Sequence, residues 1–428
     1  MESKHTKADV ASVMRALQEI AGDDMVGLVL NHLELSRRTA SQLMELETAE
    51  YAGARYSHDK PHEGRYSRWG SNPGSLPLSG QKVPIAVPRI RDAEAQTTFM
   101  PPVYAKLHEM AEPPQHVIEA LFRGLGMRQY QQVAEVLMDS FGLSKSRLSE
   151  LFVKHSEQFL NEFLERPLDD ATYVAMFVDA KVVGQQSIVV AIGVTDRGEK
   201  RTLGITQATT EHSGPIAELF KGMIGRGFGF DEGLLIVIDG GKGLAKAIST
   251  TFGSYAVVQR CQVHKMANVL QHFSESDRKQ WKHRLAALFA CEDYNEATSI
   301  ADQIDADLRK VNVSIARSFT EGLNEVLTLC RLGLTRYFKK SFGSTNIVES
   351  ANAAIGRRTR HISRWSTGNQ RLRWCALALA ELEDNWNKVA NHTRLPMLQR
   401  AVKDEVMKRI ENENNSSKAS RISTKKRT

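Results

Sequence analysis

Two short apolar runs, each followed by an aspartate, are the clearest pattern in the chain. Val174–Val178 precedes Asp179, and Leu234–Ile238 precedes Asp239 and two glycines. Continuous apolar runs of this length, bounded by polar residues, are typical of strands buried on both faces. This pattern and the turn residues around it predict strands near residues 173–179, 186–195, 201–208, 234–239 and 256–260.

The order of the predicted elements indicates the fold class. Helices are predicted near residues 214–225 and 242–251, so three strands are followed by helix, strand, helix and strand. This is the order of a ribonuclease H-like core, and we predict an α/β core with a mixed sheet. The core is predicted to occupy residues 168–272 and 341–395, with an all-helical insertion at residues 273–340.

Both ends of the chain have a different character. Residues 1–50 have apolar positions at helical spacing and are predicted to be a helical segment. Residues 396–428 are predicted as a C-terminal helix and a basic tail, with 413–428 disordered because their composition is polar and charged.

Residues 51–165 are predicted to form a DNA-binding region. Their first half mixes aromatic side chains with arginines, and the segment Lys82–Arg89 is predicted as an edge strand because it contains two prolines. The mixture suits contacts to phosphates and bases, and it equally suits a loop-rich subdomain with a small core. The residues concerned are Tyr51, Tyr56, Tyr66, Trp69, Arg55, Arg65, Arg68, Arg89 and Arg91.

The second half of this region has the outline of a helix-turn-helix. Helices are predicted for 113–125 and 128–141, and a third, Lys145–Phe159, follows a glycine-containing turn. Lys145 and Arg147 lie in the first turn of the third helix, where they would face DNA in such a motif. Plain packing of a helical hairpin is the alternative interpretation.

The composition of the chain indicates the kind of binding partner and the cellular compartment to expect. The chain of 428 residues has a net charge of +7 and a pI of about 9.1, which favours a polyanionic partner. Its four cysteines are widely spaced without a CxxC pair, which fits a reducing cytoplasm better than a disulfide framework. No run approaches the roughly 20 apolar residues of a membrane span, so we expect a cytoplasmic protein without membrane contact.

Three carboxylates are the candidate catalytic groups. Asp179 and Asp239 follow predicted strands, and Glu349 lies in a predicted helix ahead of basic residues. Carboxylates at strand ends and on a packed helix can meet, and such clusters hold hard divalent cations such as Mg²⁺. Two ions held in this way support in-line phosphoryl transfer. For Asp179 the alternative is a carboxylate that simply caps a turn. The glycines after Asp239 also resemble a phosphate-cradling loop, but the Walker A pattern GxxxxGK(S/T) is absent.

Two basic segments supply candidate phosphate contacts. His264 and Lys265 follow the last predicted strand, and Cys261 three residues earlier could pair with His264 as a zinc ligand, but no second pair stands at a fitting distance. On a helix through 346–360, Asn346 and Glu349 share one face with the arginines one and two turns further on. A solvated basic face is the alternative for these arginines, which are Arg357, Arg358 and Arg360.

The chain resembles the Mutator-type transposases of bacterial insertion sequences over roughly residues 60–390. Three segments carry the resemblance, in a specific order: Asp239-Gly240-Gly241-Lys242-Gly243-Leu244, then Gln259-Arg260-Cys261-x-x-His264-Lys265-x-x-Asn268, then Thr345-Asn346-x-x-Glu349-Ser350-x-Asn352. The resemblance implies a ribonuclease H-like catalytic domain with Asp179, Asp239 and Glu349 as an Asp-Asp-Glu triad. Cys261 and His264 would be the family's Cys-x-x-His element.

A few positions depart from the usual pattern of that family. Asp179 is followed by Ala180 instead of glycine, and Gln262 stands where an aromatic residue is typical. The family's Arg-Asn-Gly stretch is represented by Arg68–Gly74.

The predicted function is that of an enzyme which cuts the ends of a mobile DNA element and joins them to a target. It would use two Mg²⁺ ions, with Mn²⁺ as a substitute, bind terminal inverted repeats and target DNA, and act as a dimer or higher homo-oligomer near the bacterial nucleoid. Two alternatives remain open at this point. One is a ribonuclease H-like nuclease or resolvase that does not join strands, and the other is an inactive, transposase-derived DNA-binding protein.

Overall fold

The computed structural model describes residues 25–58, 61–78, 81–109, 145–208, 212–360, 362, 364–365 and 368–425. The chain divides into two compact units, Met1–His155 and Ser156–Thr428. None of the helices in the described ranges combines the length and the apolar character needed to cross a membrane.

The first unit contains a small antiparallel sheet covered by a long helix. Its strands are hydrogen-bonded in the order β1-β2-β3. Apolar side chains of the helix, Ala40 and Met44, pack with Leu76, Ile85 and Val87 of the sheet. The elements are α1 (Met25–Ala52), β1 (Tyr66–Leu78), β2 (Gln81–Asp92), β3 (Thr97–Phe99) and α2 (Pro102–Glu109), with a short 3₁₀ turn at His62–Gly64.

The proline-containing segment Lys82–Arg89 belongs to β2, which is the central strand of this sheet. Strand β2 pairs with β1 along most of its length, whereas β3 pairs only with its last residues, from Ile90 to Asp92. Pro84 and Pro88 therefore lie where β2 has a single neighbour, and the missing N–H of proline interrupts no second ladder. The prediction of an edge strand holds for this part of β2 alone.

The helix-turn-helix prediction falls partly outside the described residues, because 110–144 are not described. Its third helix is present as α3 (Lys145–Glu165), which begins at the predicted residue and extends beyond the predicted end.

The second unit is built on a five-stranded mixed sheet in the order β6-β5-β4-β7-β8. The first three strands are antiparallel, while β4 with β7 and β7 with β8 are parallel. The predicted order of strands and helices is confirmed by these elements: β4 (Tyr173–Val183), β5 (Gln186–Thr195), β6 (Lys200–Gln207), α4 (Ser213–Gly225), β7 (Leu234–Ile238), α5 (Lys242–Phe252), a 3₁₀ turn (Gly253–Tyr255) and β8 (Ala256–Arg260).

Strand β4 is longer than predicted, so Asp179 lies inside it and not at its end. The residues after Asp179 remain paired with β5, from Ala180 opposite Val189 to Val183 opposite Gln186. The predicted end of the strand coincided with the end of the apolar run, because the sequence pattern does not show that pairing with β5 continues beyond it.

The two faces of the sheet are buried under different helices. Met176 and Val178 point to a core that includes Phe220 of α4 and Phe252 of α5. Ala175 and Phe177 point to the opposite core, where the Phe177 and Phe342 rings stack with centroids 5.7 Å apart. Because successive side chains of a strand alternate between faces, Asp179 follows Phe177 onto the second face.

A helical segment with its own core separates β8 from the helix that carries Glu349, as predicted. Its interior consists of apolar residues such as Leu285, Phe289, Leu308 and Phe319. The helices from β8 onward are α6 (Gln262–Leu270), α7 (Glu275–Ala290), α8 (Tyr294–Val311), α9 (Val313–Thr320), α10 (Leu323–Val326), α11 (Thr328–Arg331) and α12 (Thr335–Phe342).

Three longer helices complete the second unit and cover the face that Asp179 shares. They are α13 (Asn346–Thr359), α14 (Gln370–Asp384) and α15 (Leu395–Lys425), with a 3₁₀ turn at His392–Arg394 between the last two. The prediction of a disordered tail at 413–428 is wrong as far as Lys425, because α15 continues to that residue. No glycine or proline follows Pro396, so the sequence contains no helix-terminating residue there.

Candidate active site

Asp179 and Asp239 lie side by side on neighbouring parallel strands. Val178 of β4 is opposite Ile238 of β7, so the two aspartates come next at the same level. Val237 belongs to the same core as Phe177, which places Asp239, two residues further on, on the same face as Asp179. Adjacent strands are about 4.8 Å apart, so the two carboxylates are neighbours.

Asp179 is held by two hydrogen bonds in a nearly buried position. The side chain is 9% exposed. One carboxylate oxygen accepts the Ala180 backbone N–H at 2.8 Å, and the other accepts an N–H of the Asn352 amide at 3.0 Å. Burial raises the pKa of Asp179, and the negative charges of Asp239 and Glu349 raise it further. Three carboxylates therefore interact at this position.

Asp239 lies at the start of a glycine loop that packs closely against an arginine. Its carboxylate accepts the Gly241 N–H at 3.1 Å. Gly240 has φ +113°, and a Cβ there would lie 3.1 Å from Nη1 of Arg260. Glycine at this position therefore permits both the positive φ and the approach of the Arg260 guanidinium.

Glu349 occupies the first turn of α13, where a negative charge interacts favourably with the helix dipole. Its Oε1 accepts a hydrogen bond from the Thr345 hydroxyl at 3.1 Å. One turn further along the same helix, Asn352 reaches Asp179. Helix α13 thus presents the third carboxylate and also contacts the first.

Thr345 joins the third carboxylate to the Cys-x-x-His element. The residue is fully buried, and its Oγ1 lies 3.4 Å from Cys261 Sγ and 3.3 Å from His264 Nδ1, besides its contact with Glu349. A hydroxyl has one proton to donate, so it can serve only one of these acceptors at a time. Thr345 therefore sits at the junction of three side chains of the site.

Cys261 and His264 form a polarised pair beside the aspartates. Cys261 is 1% exposed and caps α6, its sulfur accepting the His264 backbone N–H at 3.4 Å. Burial alone would raise the pKa of the Cys261 thiol, but the hydrogen bonds with His264 and Thr345 outweigh it and lower the pKa. The hydrogen bond with Cys261 raises the pKa of His264 to about 9, against burial and with help from Cys261, Asp179 and Asp239.

Two of the predicted phosphate-binding residues face inward instead. The Lys265 ammonium is 6% exposed and donates to the backbone carbonyls of Ser318, at 2.8 Å, and Glu321. Arg358 is 7% exposed and forms an ion pair with Glu381 of α14. In this structure both cations are used inside the protein, so these two predictions are corrected.

The remaining predicted contacts lie at the surface. Asn346, Glu349 and Arg357 are exposed on α13, and Arg360 is exposed at its C-cap, in agreement with the helical face predicted for them. Lys145 and Arg147 belong to the first unit; Lys145 is exposed, and Arg147 forms an ion pair with Glu150 at 3.1 Å.

Three residues of this region were not predicted as site residues. They are Thr345, Asn352 and Arg260, the last of which forms ion pairs with Glu321, at 2.9 Å, and Glu325. All three stand inside the motifs quoted above, so their positions were visible, but only the fold reveals their contacts.

The donor set fits a hard cation that shares its ligands with a substrate. Among the described residues, no group of three or more His, Cys, Asp and Glu side chains is already arranged to hold a metal ion. Mg²⁺ typically takes one or two carboxylates together with substrate phosphates and water, so it does not require such a protein cage. Burial is the main cause of the raised pKa of Asp179, and the repulsion from Asp239 and Glu349 that adds to it is the part a bound cation would relieve.

The site thus combines a mixed five-stranded sheet, two neighbouring aspartates at its strands, and a glutamate on a helix that covers the sheet. The family model described as "Transposase, Mutator family" matches residues 1–389. The chain belongs to the Mutator family of transposases.

Several transposases of insertion sequences are similar over most of this chain. The transposase for insertion sequence element IS256 in transposon Tn4001 of Staphylococcus aureus is 25% identical over 360 residues, covering 81% of this chain and 88% of that protein. The transposase for element ISRM5 of Rhizobium meliloti is 25% identical over 392 residues, 89% of this chain and 94% of that protein. That for element IS1081 of Mycobacterium tuberculosis is 25% identical over 373 residues, 84% and 86% respectively.

The protonation of His264 is a direct test of this geometry. We expect its ring, followed by NMR after carbon-13 labelling of the histidines, to titrate near pH 9 and not near the ordinary 6.5. Asp239→Asn should lower this pKa because it removes a stabilising negative charge, and Cys261→Ala should lower it more because Cys261 is the largest cause.

The signal can be assigned by its loss in His264→Gln. Asp231→Asn, which removes an exposed carboxylate just before β7, is the matched control and should leave the titration unchanged. A midpoint near 6.5 in the unmodified protein would contradict the described pairing.

Proposed function

We propose that the protein is a DNA transposase that binds the terminal inverted repeats of an insertion sequence and catalyses metal-dependent cleavage and strand transfer. The observation that carries the proposal is the convergence of Asp179, Asp239 and Glu349 in a chain of the Mutator family. The strand order β6-β5-β4-β7-β8, with two antiparallel pairs followed by two parallel pairs, supports a ribonuclease H-like core.

In this proposal the three carboxylates hold Mg²⁺, for which Mn²⁺ can substitute. The bound ions would supply a more acidic water and a counter-charge for the leaving 3′ oxygen at the phosphodiester. The side chains of Asp179, Asp239 and Glu349 provide the oxygen ligands that such ions prefer.

The surrounding residues keep these oxygens in place. Asn352 donates to Asp179 and Thr345 donates to Glu349, so an uncharged side chain directs one oxygen of each of these carboxylates. His264 adds a positive charge beside the aspartates, which offsets part of their repulsion.

The DNA would approach along the exposed face of α13. Arg357 and Arg360 lie on this face with Glu349, where their guanidinium groups can neutralise backbone phosphates. Lys145 and Arg147 are proposed to contact DNA from the first unit. Because two ends of an element must be brought together, the proposal includes a homo-oligomer of this chain.

Loss of any one carboxylate should abolish cleavage. In Asp179→Ala, Asp239→Ala and Glu349→Ala we expect cleavage to fall on the order of 10³-fold or more, because several kcal/mol of transition-state stabilisation is lost. DNA binding should stay within a few fold. The measurement is cleavage of DNA that carries the sequences flanking the gene, with Mg²⁺, and binding is measured separately by anisotropy.

Asp231→Asn is the control and should cleave normally, since Asp231 is exposed and outside the site. A pre-cut end that is joined to a second duplex supports a transposase, whereas cleavage without joining supports a nuclease or resolvase. Binding without any metal-dependent cleavage would instead indicate an inactive DNA-binding protein, and near-normal cleavage by one alanine variant would remove that residue from the triad.

The rate of DNA cleavage should depend on the hydroxyl group of Thr345 more than on the shape of its side chain. Thr345→Val preserves the volume of this buried side chain but cannot donate to Glu349, so we expect cleavage to fall about tenfold or more, the effect of losing roughly 1.4 kcal/mol of transition-state stabilisation. Thr345→Ser keeps the hydroxyl and should retain most of the activity. Because the lost group directs a ligand, Thr345→Val should also need more Mg²⁺ for half-maximal rate.

Thermal melting separates this effect from unfolding. If Thr345→Val and Thr345→Ser lost activity equally, with the same Mg²⁺ requirement as the unmodified protein, the positioning role of the hydroxyl would be disproved.

A further inference from the structure

A pocket in the first unit is lined by three arginines and no acidic residue. It has a volume of about 440 Å³ and lies between the end of α1, the loop after it, and strands β1 and β2. We call it the arginine pocket and define it by Arg55, Arg68, Arg89, Tyr56, Gly70 and Ser71. Glu45 pairs with Arg55 at 3.3 Å and with Arg68 at 2.8 Å, so one carboxylate is shared by two of the three arginines.

Two of these arginines have buried N–H groups that no described residue satisfies. Arg68 donates from Nε to the Gly53 carbonyl at 3.0 Å and from Nη1 to Glu45, but its buried Nη2 has no partner in the described ranges. The buried Nε of Arg89 is likewise without a partner among the described residues. An unsatisfied buried donor is costly. Other arginines of the described residues also have one, and Arg68 and Arg89 are the two that line this pocket.

A β-bulge shapes the pocket. Arg68 is opposite Ile90 and Ser71 is opposite Pro88, so Trp69 and Gly70 together face Arg89. Two residues opposite one is the arrangement of a bulge, which often re-aims side chains near a functional site. Gly70 adopts φ +76°, and a Cβ there would lie 3.8 Å from Nη2 of Arg89, so the backbone runs close to this guanidinium.

One exposed aromatic side chain, Tyr56, lines the pocket, and a second, Trp69, lies in the bulge next to the lining residue Gly70. Tyr56 is 99% exposed and has φ +63°, a conformation that is uncommon for a residue other than glycine. Trp69 in the bulge is 45% exposed, with the Arg91 guanidinium 4.3 Å from its ring centroid. Large exposed rings beside cations are the surfaces on which bases and sugars stack.

We propose that the arginine pocket binds a backbone phosphate of DNA, with Arg68 and Arg89 as the donors and Tyr56 against the adjoining nucleotide. The planar guanidinium fork matches the oxygens of a phosphate better than any other side chain. The choice of DNA rests on the proposed function, whereas the preference for a phosphate rests on the three arginines of a lining without acidic residues, two of which each have one unsatisfied N–H group. Such a contact positions the protein on the duplex without reading its sequence.

The test uses the full-length protein and a fluorescent DNA duplex of random sequence, since the contact does not depend on sequence. Arg89→Gln should weaken binding several-fold and reduce the slope of log affinity against log salt by about one, because one phosphate contact is lost. Arg89→Lys keeps the positive charge but not the planar guanidinium, so its affinity for DNA should lie between those of the unmodified protein and Arg89→Gln.

Lys82→Gln is the matched control. Lys82 is exposed at the other end of the same strand, so this variant removes the same charge from the same sheet outside the pocket and should bind almost normally. If Arg89→Gln does not fold, Ser71→Glu, which places a negative charge at the exposed rim, should weaken binding in the same way. Equal losses in Arg89→Gln and Lys82→Gln, or normal binding by Arg89→Gln, would overturn the proposal.

Cleavage assays keep this outcome separate from that of the proposed function. If the protein cleaves DNA but Arg89→Gln binds DNA as well as the unmodified protein, the proposed function is supported and phosphate binding by the arginine pocket is disproved. If the protein never cleaves DNA but Arg89→Gln weakens DNA binding, phosphate binding by the pocket is supported and the proposed function is disproved.

Discussion

The parallel pairing of β4 with β7 is the constraint on which the candidate active site depends. A shift of one residue in this register would turn one aspartate to the opposite face, because side chains alternate along a strand. The register is held by apolar side chains on both faces, from Val174 to Val178 and from Leu234 to Ile238, which are almost completely buried. The same hydrophobic packing that stabilises the sheet therefore sets the distance between Asp179 and Asp239.

The helical insertion contacts the end of β8, next to the loop that carries Asp239. The amide of Gln259 is fully buried, donates to the Val326 carbonyl at 2.8 Å and accepts the Leu329 N–H at 3.0 Å. The next residue, Arg260, lies between Gly240 of the Asp239 loop and Gly322 of the insertion, where a Cβ at Gly322 would lie 2.5 Å from its Cζ. Arg260 therefore packs against both the insertion and the loop that follows Asp239.

Most strands and helices were predictable because burial leaves a periodic record in the sequence, whereas the partners of polar residues leave none. Helical spacing correctly placed Glu349 and Arg357 on one exposed face of α13. The same spacing could not show that α14 supplies Glu381 to Arg358, or that backbone carbonyls of the insertion receive Lys265. The contacts of Asn352 escaped prediction for the same reason, since its partner is 173 residues away.

The side chains that donate hydrogen bonds to Asp179 and Glu349 are uncharged. Within the described residues, no lysine or arginine forms an ion pair with Asp179, Asp239 or Glu349. An amide and a hydroxyl hold Asp179 and Glu349 instead. Such neutral donors fix a carboxylate without cancelling its charge, whereas an arginine in their place would compete with a metal ion for the same oxygens. Burial is the main cause of the raised pKa of Asp179, and the charges of Asp239 and Glu349 raise it further against the opposing positive charge of His264.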